Sequence, residues 1–441
     1  MLPQLLLLIC ALPVQTLAFS SQHAPNEKPL PHPRAGRYSR SGKYHIPGAV
    51  QNGTSKARFD IPTPKTTLDT ETLFSLDAPQ IDRINGSVFD WWYFDVVSET
   101  NPDDSLVVTF FTSSMEAFPF LDPNETSILN AWVWASFANG TVFEDSVPAT
   151  VATVTGADGR TNSTGDWSST GFTWNALTAN LSRYEVIIAS EKLQVEGRLT
   201  LTSRTPSHLP CGVQLGRTIL EIAPHIGWVN LVPDAVGEVD MKIYGSTLKF
   251  RGPGYHDKVN LTRGKLGTSA DQVAQNWSDR PFIDSVQSWY WGHGRLGPYS
   301  IVWFSYLAIN DTTNTTYVSS YVAKDGEMLV SACDPSVLTV RPVGRGTTGR
   351  YPPRARDIPE GFIMEFDLGE AGQLNVNVSA RTVVAGDEEY YMRWTGDMVG
   401  EVESEGGGGG PKEETGGPDV HSSSSSSLAG VAVLEQFVLL E

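Results

Sequence analysis

The chain has 441 residues, room for two domains of ordinary size or one large β domain with insertions, which excludes a single-motif peptide. Its 32 Lys and Arg against 50 Asp and Glu leave a formal charge of −18. A binder of duplex nucleic acid needs a basic footprint to neutralise phosphates, so nucleic acid is excluded as a partner.

In chain order, residues 1–18 carry an apolar run over 5–12 and then Thr16-Leu17-Ala18. They read as a secretory signal peptide, although no Lys or Arg precedes the apolar run. Asn-X-Ser/Thr acceptors at Asn52, Asn85, Asn124, Asn139, Asn162, Asn180, Asn260, Asn276, Asn310, Asn314 and Asn377 agree with a secreted, glycosylated chain. Residues 19–65 are polar and Pro-rich and read as an extended surface arm.

Beyond the arm, strand-length runs of β-branched and aromatic residues alternate with turn signals at 89–97, 106–112, 131–137, 184–189, 194–202, 241–250, 300–308, 316–323, 361–368 and 374–381. No window holds a helical apolar stripe over four turns. The fold class is therefore all-β. Trp92-Tyr93 with its following apolar run recurs as Trp289-Tyr290 with its own, about 195 residues on, which suggests two tandem β domains. We place them at 66–245 and 246–441. A Gly/Ser-rich insertion at 405–427 cannot bury apolar area and reads as disordered. The apolar end, 428–441, reads as a closing strand: it is too short and too acidic to span a bilayer, and Glu435 interrupts any lipid-anchor tail. No transmembrane segment is expected.

Once the signal is removed with Cys10, Cys211 and Cys333 remain, either bridged or as two buried thiols. Nucleophile-elbow, metalloprotease and phosphate-loop motifs are absent. A metal site would need His208, His225, His256 and His293 to converge from distant segments, so none is expected. Carboxylates at Asp90, Asp95, Glu116, Asp367, Asp387, Glu388 and Glu389 leave a glycosidase open, with solvated strand ends as the plainer reading.

Aromatic density at strand spacing is the more specific feature. Strand alternation puts Phe89, Trp91, Tyr93 and Asp95 on one face and Asp90, Trp92 and Phe94 on the other. Trp289, Trp291 and His293 likewise share a face. Such rings inside a small barrel either pack a core or line a cavity. Gly292, Gly294 and Gly297 would let another segment come close.

The stretches DWWYFDVVSE at 90–99, WYWGHGRLGPYSIVWFSYLA at 289–308 and GVAVLEQF at 430–437 resemble the fungal Diels-Alderase family of tandem lipocalin-like proteins. Secretion and glycosylation are most similar to its hetero-Diels-Alderases of tropolonic sesquiterpenoid biosynthesis. That resemblance implies two lipocalin-like β-barrel or β-sandwich domains and a cofactor-independent cycloaddition joining a tropolone quinone methide to a humulene-type sesquiterpene. It also implies hydrophobic small-molecule partners and a homodimer. On it, His293, Tyr390 or Tyr391 donates a hydrogen bond to the heterodiene carbonyl, Glu116 assists loss of water, and Trp91, Tyr93, Trp289, Trp291 and Trp394 bind substrate. The alternatives are a decalin-forming intramolecular Diels-Alderase, a non-catalytic carrier of hydrophobic ligands, or a hydratase using Asp90 or Asp95 as its acid.

Overall fold

Alternation of apolar and polar residues, with turn residues between the runs, produces two large antiparallel sheets. A computed structural model describes residues 42–55, 60–63, 76–118, 126–156, 163–214, 216–224, 226–258, 281–309, 311–403 and 427–439. The expected signal peptide and almost all of the 405–427 insertion lie outside these residues.

The first sheet has twelve strands, in hydrogen-bonded order Gly42–Pro47, Val151–Gly156, Thr164–Trp167, Phe172–Ala176, Arg183–Ser190, Val195–Ser203, Val229–Ile243, Ser246–Lys258, Phe89–Val97, Ser105–Ser113, Leu129–Ser136 and Val142–Pro148. It curls on itself. Trp92 and Trp167 stand 5.3 Å apart between ring centroids although five strands separate theirs in sheet order. Trp92, Phe94, Phe110, Trp167, Trp174 and Tyr184 fill its inside and are fully buried. The second sheet has nine strands, in order Glu327–Ala332, Thr316–Lys324, Tyr299–Ala308, Val286–Leu296, Leu428–Val438, Tyr391–Glu403, Gln373–Gly386, Gly361–Asp367 and Leu338–Val343. Its own core gathers Tyr290, Trp303, Phe362, Trp394, Met398 and Leu434. The fold is all-β, with two lipocalin-like sheets in tandem. Among the described residues no helix is long and apolar enough to cross a membrane.

Leu428–Val438 is a closing strand, inserted between Val286–Leu296 and Tyr391–Glu403. Three expectations need correction. The run 241–250 is not one strand but the tip of a hairpin between Val229–Ile243 and Ser246–Lys258. Tyr244 and Gly245 turn there with φ of 47° and 82°, the paired left-handed geometry of a two-residue hairpin loop. A domain boundary at 245 would cut that hairpin, whose second arm pairs with Phe89–Val97. The first sheet thus runs through Lys258, and the second begins at Val286. Finally, the Pro-rich arm supplies strands: Gly42–Pro47 pairs with Val151–Gly156, and Asp60–Thr63 with Gly216–Ile219. The Gly292 and Gly294 close approaches do exist, but toward the second core. A Cβ at Gly292 would sit 2.2 Å from Trp303 and 2.6 Å from the Val433 carbonyl.

Cys211 and Cys333 form a disulfide across 122 residues, tying the loop after Val195–Ser203 to the segment after Glu327–Ala332. Closing so long a loop restricts the unfolded chain most. The double variant Cys211→Ala/Cys333→Ala is expected to lose about 2–5 kcal/mol of unfolding free energy, read from urea melts. An unchanged midpoint would mean that the link does not restrain the unfolded chain.

Candidate functional site

Register places the site between the sheets. In antiparallel pairing, residues directly opposite share a face. Tyr93 opposes Thr109, which opposes Trp132; Trp91 opposes Phe111; on the other flank Tyr93 opposes Asp257. These side chains form the outer face of the first sheet. In the second sheet, Trp291 opposes Phe304 and Glu435, Trp289 opposes Phe437, and Phe437 and Glu435 oppose Tyr391 and Arg393. The two faces enclose a cavity of about 220 Å³, closed further by Phe118, Trp134, Ile226 and Trp228. Exposed Glu144, Gly386 and Asp387 mark its open side. The rings interlock: Tyr93 meets Trp291 edge-on at 5.4 Å, and Trp132 stacks on Trp134 at 5.1 Å.

Two carboxylates interrupt these aromatic walls. Glu435, 5% exposed, accepts from Trp289 Nε1 at 3.1 Å through Oε1. Its Oε2 accepts from the Tyr391 hydroxyl at 2.9 Å and from Arg393 Nε and Nη2 at 3.0 and 2.6 Å. The guanidinium of Arg393 also lies over the Tyr93, Trp134 and Tyr391 rings at 5.1–5.5 Å. Burial opposes the charge on Arg393, yet Tyr391, Tyr93 and Glu435 outweigh it and hold the group protonated.

Asp257 is the second carboxylate. Its Oδ2 accepts from Trp228 Nε1 at 2.9 Å and from the Tyr255 hydroxyl at 2.8 Å, and Tyr255 in turn accepts from Asn230 Nδ2 at 2.6 Å. Oδ1 makes no hydrogen bond. Two donors and the nearby His256 favour the ionised form, but burial dominates and pushes the carboxyl from 3.8 up to about 6. Asp257 is thus a carboxylic acid that keeps its proton up to about pH 6, well above an ordinary carboxyl, in a cavity walled mostly by rings.

Of the residues singled out from the sequence as catalytic or substrate-binding, Trp91, Tyr93, Trp289, Trp291 and Tyr391 line the cavity, and of the glycosidase carboxylates Asp387 sits at its open side. Four do not. His293 shares the predicted face but is covered: it hydrogen-bonds Asp95 Oδ2 at 2.8 Å and stacks on Tyr255 at 4.4 Å, behind the wall. Trp394 has the opposite strand parity to Arg393 and packs into the second core. Glu116 is exposed in the turn after Ser105–Ser113. Tyr390 is half-buried, and its backbone N–H donates to Asp387 Oδ1 at 2.7 Å. The hydratase acids are also displaced: Asp90 pairs with Lys258, which lies over Trp92 inside the first sheet, and Asp95 binds Tyr93 and His293. His208 and His256 occupy separate surroundings, against Ser319 and Phe94 respectively, and His225 lies outside the described residues.

Asp257, Arg393, Glu435 and Trp228 carried no local signal. Glu435 looked like an interruption in an apolar tail, and its strand parity with Phe437 was the one clue to a shared face. The expected location also changes. The cavity is not the inside of a barrel, because both alternate faces of Phe89–Val97 are aromatic and the inner one is packed solid.

The sequence profile of the Diels-Alderase-like family matches residues 60–340. The chain is 33% identical over 331 residues to the quinolone epoxide rearrangement protein asqO of Emericella nidulans, covering 75% of this chain and 81% of that protein. It is 23% identical to the Diels-Alderase poxQ of Penicillium oxalicum, covering 63% and 58%. The crystal structure of CghA with Sch210972 superposes with a TM-score of 0.63 at 16% identity, over 90% of this chain and 98% of that one, a likeness of fold.

Proposed function

Because the chain belongs to the Diels-Alderase-like family, we propose that it is an enzyme that isomerises or cyclises an apolar small molecule held between its two sheets, with Asp257 as the acid. The relatives support an enzyme of the Diels-Alderase type. Of the reactions named among them, epoxide rearrangement suits this cavity best. The observation that carries the reading is Asp257, a buried carboxyl raised to about 6 within a largely aromatic enclosure.

In this mechanism the Asp257 carboxyl gives its proton to the epoxide oxygen as a ring C–O bond breaks. The electron-rich faces of the cavity's rings stabilise the cation that develops, and water is kept away from it. A neighbouring group then migrates with its electron pair, and the new hydroxyl returns a proton to Asp257, leaving a carbonyl isomer. A cycloaddition is the second reading, favoured by the likeness to poxQ and by walls suited to clamping two π-systems in register. There the same carboxyl would hydrogen-bond a carbonyl of the electron-poor partner. Union of a tropolone quinone methide with a humulene-type terpene is the specific form of this reading that the sequence resemblance suggested.

The experiment is to incubate the purified chain with a quinolone epoxide and, separately, with a polyene bearing a carbonyl-conjugated alkene, against enzyme-free controls. Repeated turnover of the first to a single carbonyl isomer is expected. Turnover of the second alone would move the assignment to cycloaddition, and stoichiometric binding without turnover would make the chain a carrier. Secretion belongs to the same proposal. It is supported by the disulfide and by the surface position of the six described acceptor residues Asn52, Asn85, Asn139, Asn180, Asn314 and Asn377, none of which is buried.

A further inference from the structure

Arg393 has a donor left over. Its Nε and Nη2 converge on one oxygen of Glu435, while Nη1 is buried and makes no hydrogen bond. Arg393 is only 7% exposed and is one of the residues lining the cavity. Glu435 cannot turn to meet it: Oε2 already receives Tyr391 and two nitrogens of Arg393, and Oε1 receives Trp289. A charged N–H buried without an acceptor is unfavourable, and native proteins rarely keep one unless something else supplies the acceptor.

We infer that Nη1 of Arg393 is the anchor for a substrate oxygen, so that the cavity selects flat, apolar, ring-bearing molecules that carry a carbonyl or enolate oxygen at the ring edge. The geometry specifies this class in two ways. The guanidinium carbon stands 5.1–5.5 Å from the Tyr93, Trp134 and Tyr391 ring centroids, so a ligand reaching Nη1 comes to rest among rings that favour a π-system. Glu435 already balances the guanidinium charge, so the acceptor need not bring a full negative charge, and a neutral carbonyl suffices. Arg393 is a binding and orienting group in this scheme. It fixes the ring edge on the second sheet while Asp257 acts from the first.

The inference rests on the reading of the inter-sheet cavity as the substrate site, and the test separates the two. Calorimetric titration of the full chain uses 4-phenyl-2-quinolone, which carries the ring oxygen and a ring N–H, and 4-phenylquinoline, which has neither. The wild-type chain is expected to bind the quinolone roughly tenfold or more tightly than the quinoline, the size of a hydrogen bond to a charged donor. In Arg393→Met/Glu435→Gln, which removes both charges together, the preference should fall below about twofold while quinoline affinity changes by less than about twofold. Arg393→Lys, whose single ammonium is held by Glu435, should lose the preference likewise with the carboxylate still paired. A quinolone preference retained in these folded variants, or equal affinities in wild type, overturns the anchor and leaves the cavity reading intact. Binding of neither probe by the wild-type chain overturns the cavity reading and the anchor with it.

Discussion

Asp257→Asn is expected to lower kcat for epoxide rearrangement by about 10²–10⁴-fold, the usual contribution of a placed general acid. The amide oxygen can still accept from Trp228 and Tyr255, so the wall keeps its shape while the transferable proton disappears. In the wild-type chain the acid form is the active one. The rate should therefore be level below pH 6 and fall about tenfold per pH unit above it, following the carboxyl raised to about 6.

Stability should fall over the same range of pH. A carboxyl whose folded-state value of about 6 lies above its ordinary 3.8 favours folding while protonated. That contribution is fully present below about pH 4 and is lost as pH rises through about 6. At pH 8 the buried ionised carboxylate opposes folding by about 3 kcal/mol. Asp257→Asn should therefore be at least as stable as wild type at pH 8, and slow at every pH. Rates that stay flat from pH 5 to 8, or an Asn variant that turns over normally, would remove Asp257 from the mechanism.

Glu435→Leu should have the largest effect on stability, a loss of about 3–5 kcal/mol, because it leaves the buried Arg393 guanidinium without its counter-charge. It also strands the Trp289 and Tyr391 donors, which now meet on that carboxylate. Against a typical total of about 5–15 kcal/mol, such a loss brings the domain close to unfolding at 37 °C. Glu435→Leu/Arg393→Met should recover most of it, since two apolar side chains of similar length satisfy the site better than one unpaired charge. Denaturant midpoints of the two variants decide the matter. If the double variant is no more stable than the single, the loss comes from packing or from the stranded Trp289 and Tyr391, not from the charge.

Much of the fold was legible because it depends on nearest neighbours. The alternation through 89–97 assigns Trp91 and Tyr93 to one face and Trp92 and Phe94 to the other, and the pairing observed for those strands agrees. The closing strand at Leu428–Val438 was readable from length and charge alone. The hairpin tip at Tyr244 and Gly245 was obscured because Tyr at a left-handed position looks like a strand residue. The bridge between Cys211 and Cys333 could be named only as one of two options, since spacing of 122 residues constrains no geometry.

The site divides along the same line. Sequence by itself determined that the chain is all-β, that aromatic faces exist, and that Trp91, Tyr93, Trp289 and Trp291 belong to them, because side-chain direction in a strand follows from a two-residue repeat. Only the tertiary structure decided which of two aromatic faces is packed and which is open. It alone brought Asp257 of the first sheet and Arg393 and Glu435 of the second to one cavity, and set His293, Trp394 and Glu116 outside it. Burial also raised the Asp257 carboxyl, and burial is created only when one sheet covers another. Residues as far apart as Trp91 and Phe437 acquire a common chemistry through that covering, which no local pattern encodes.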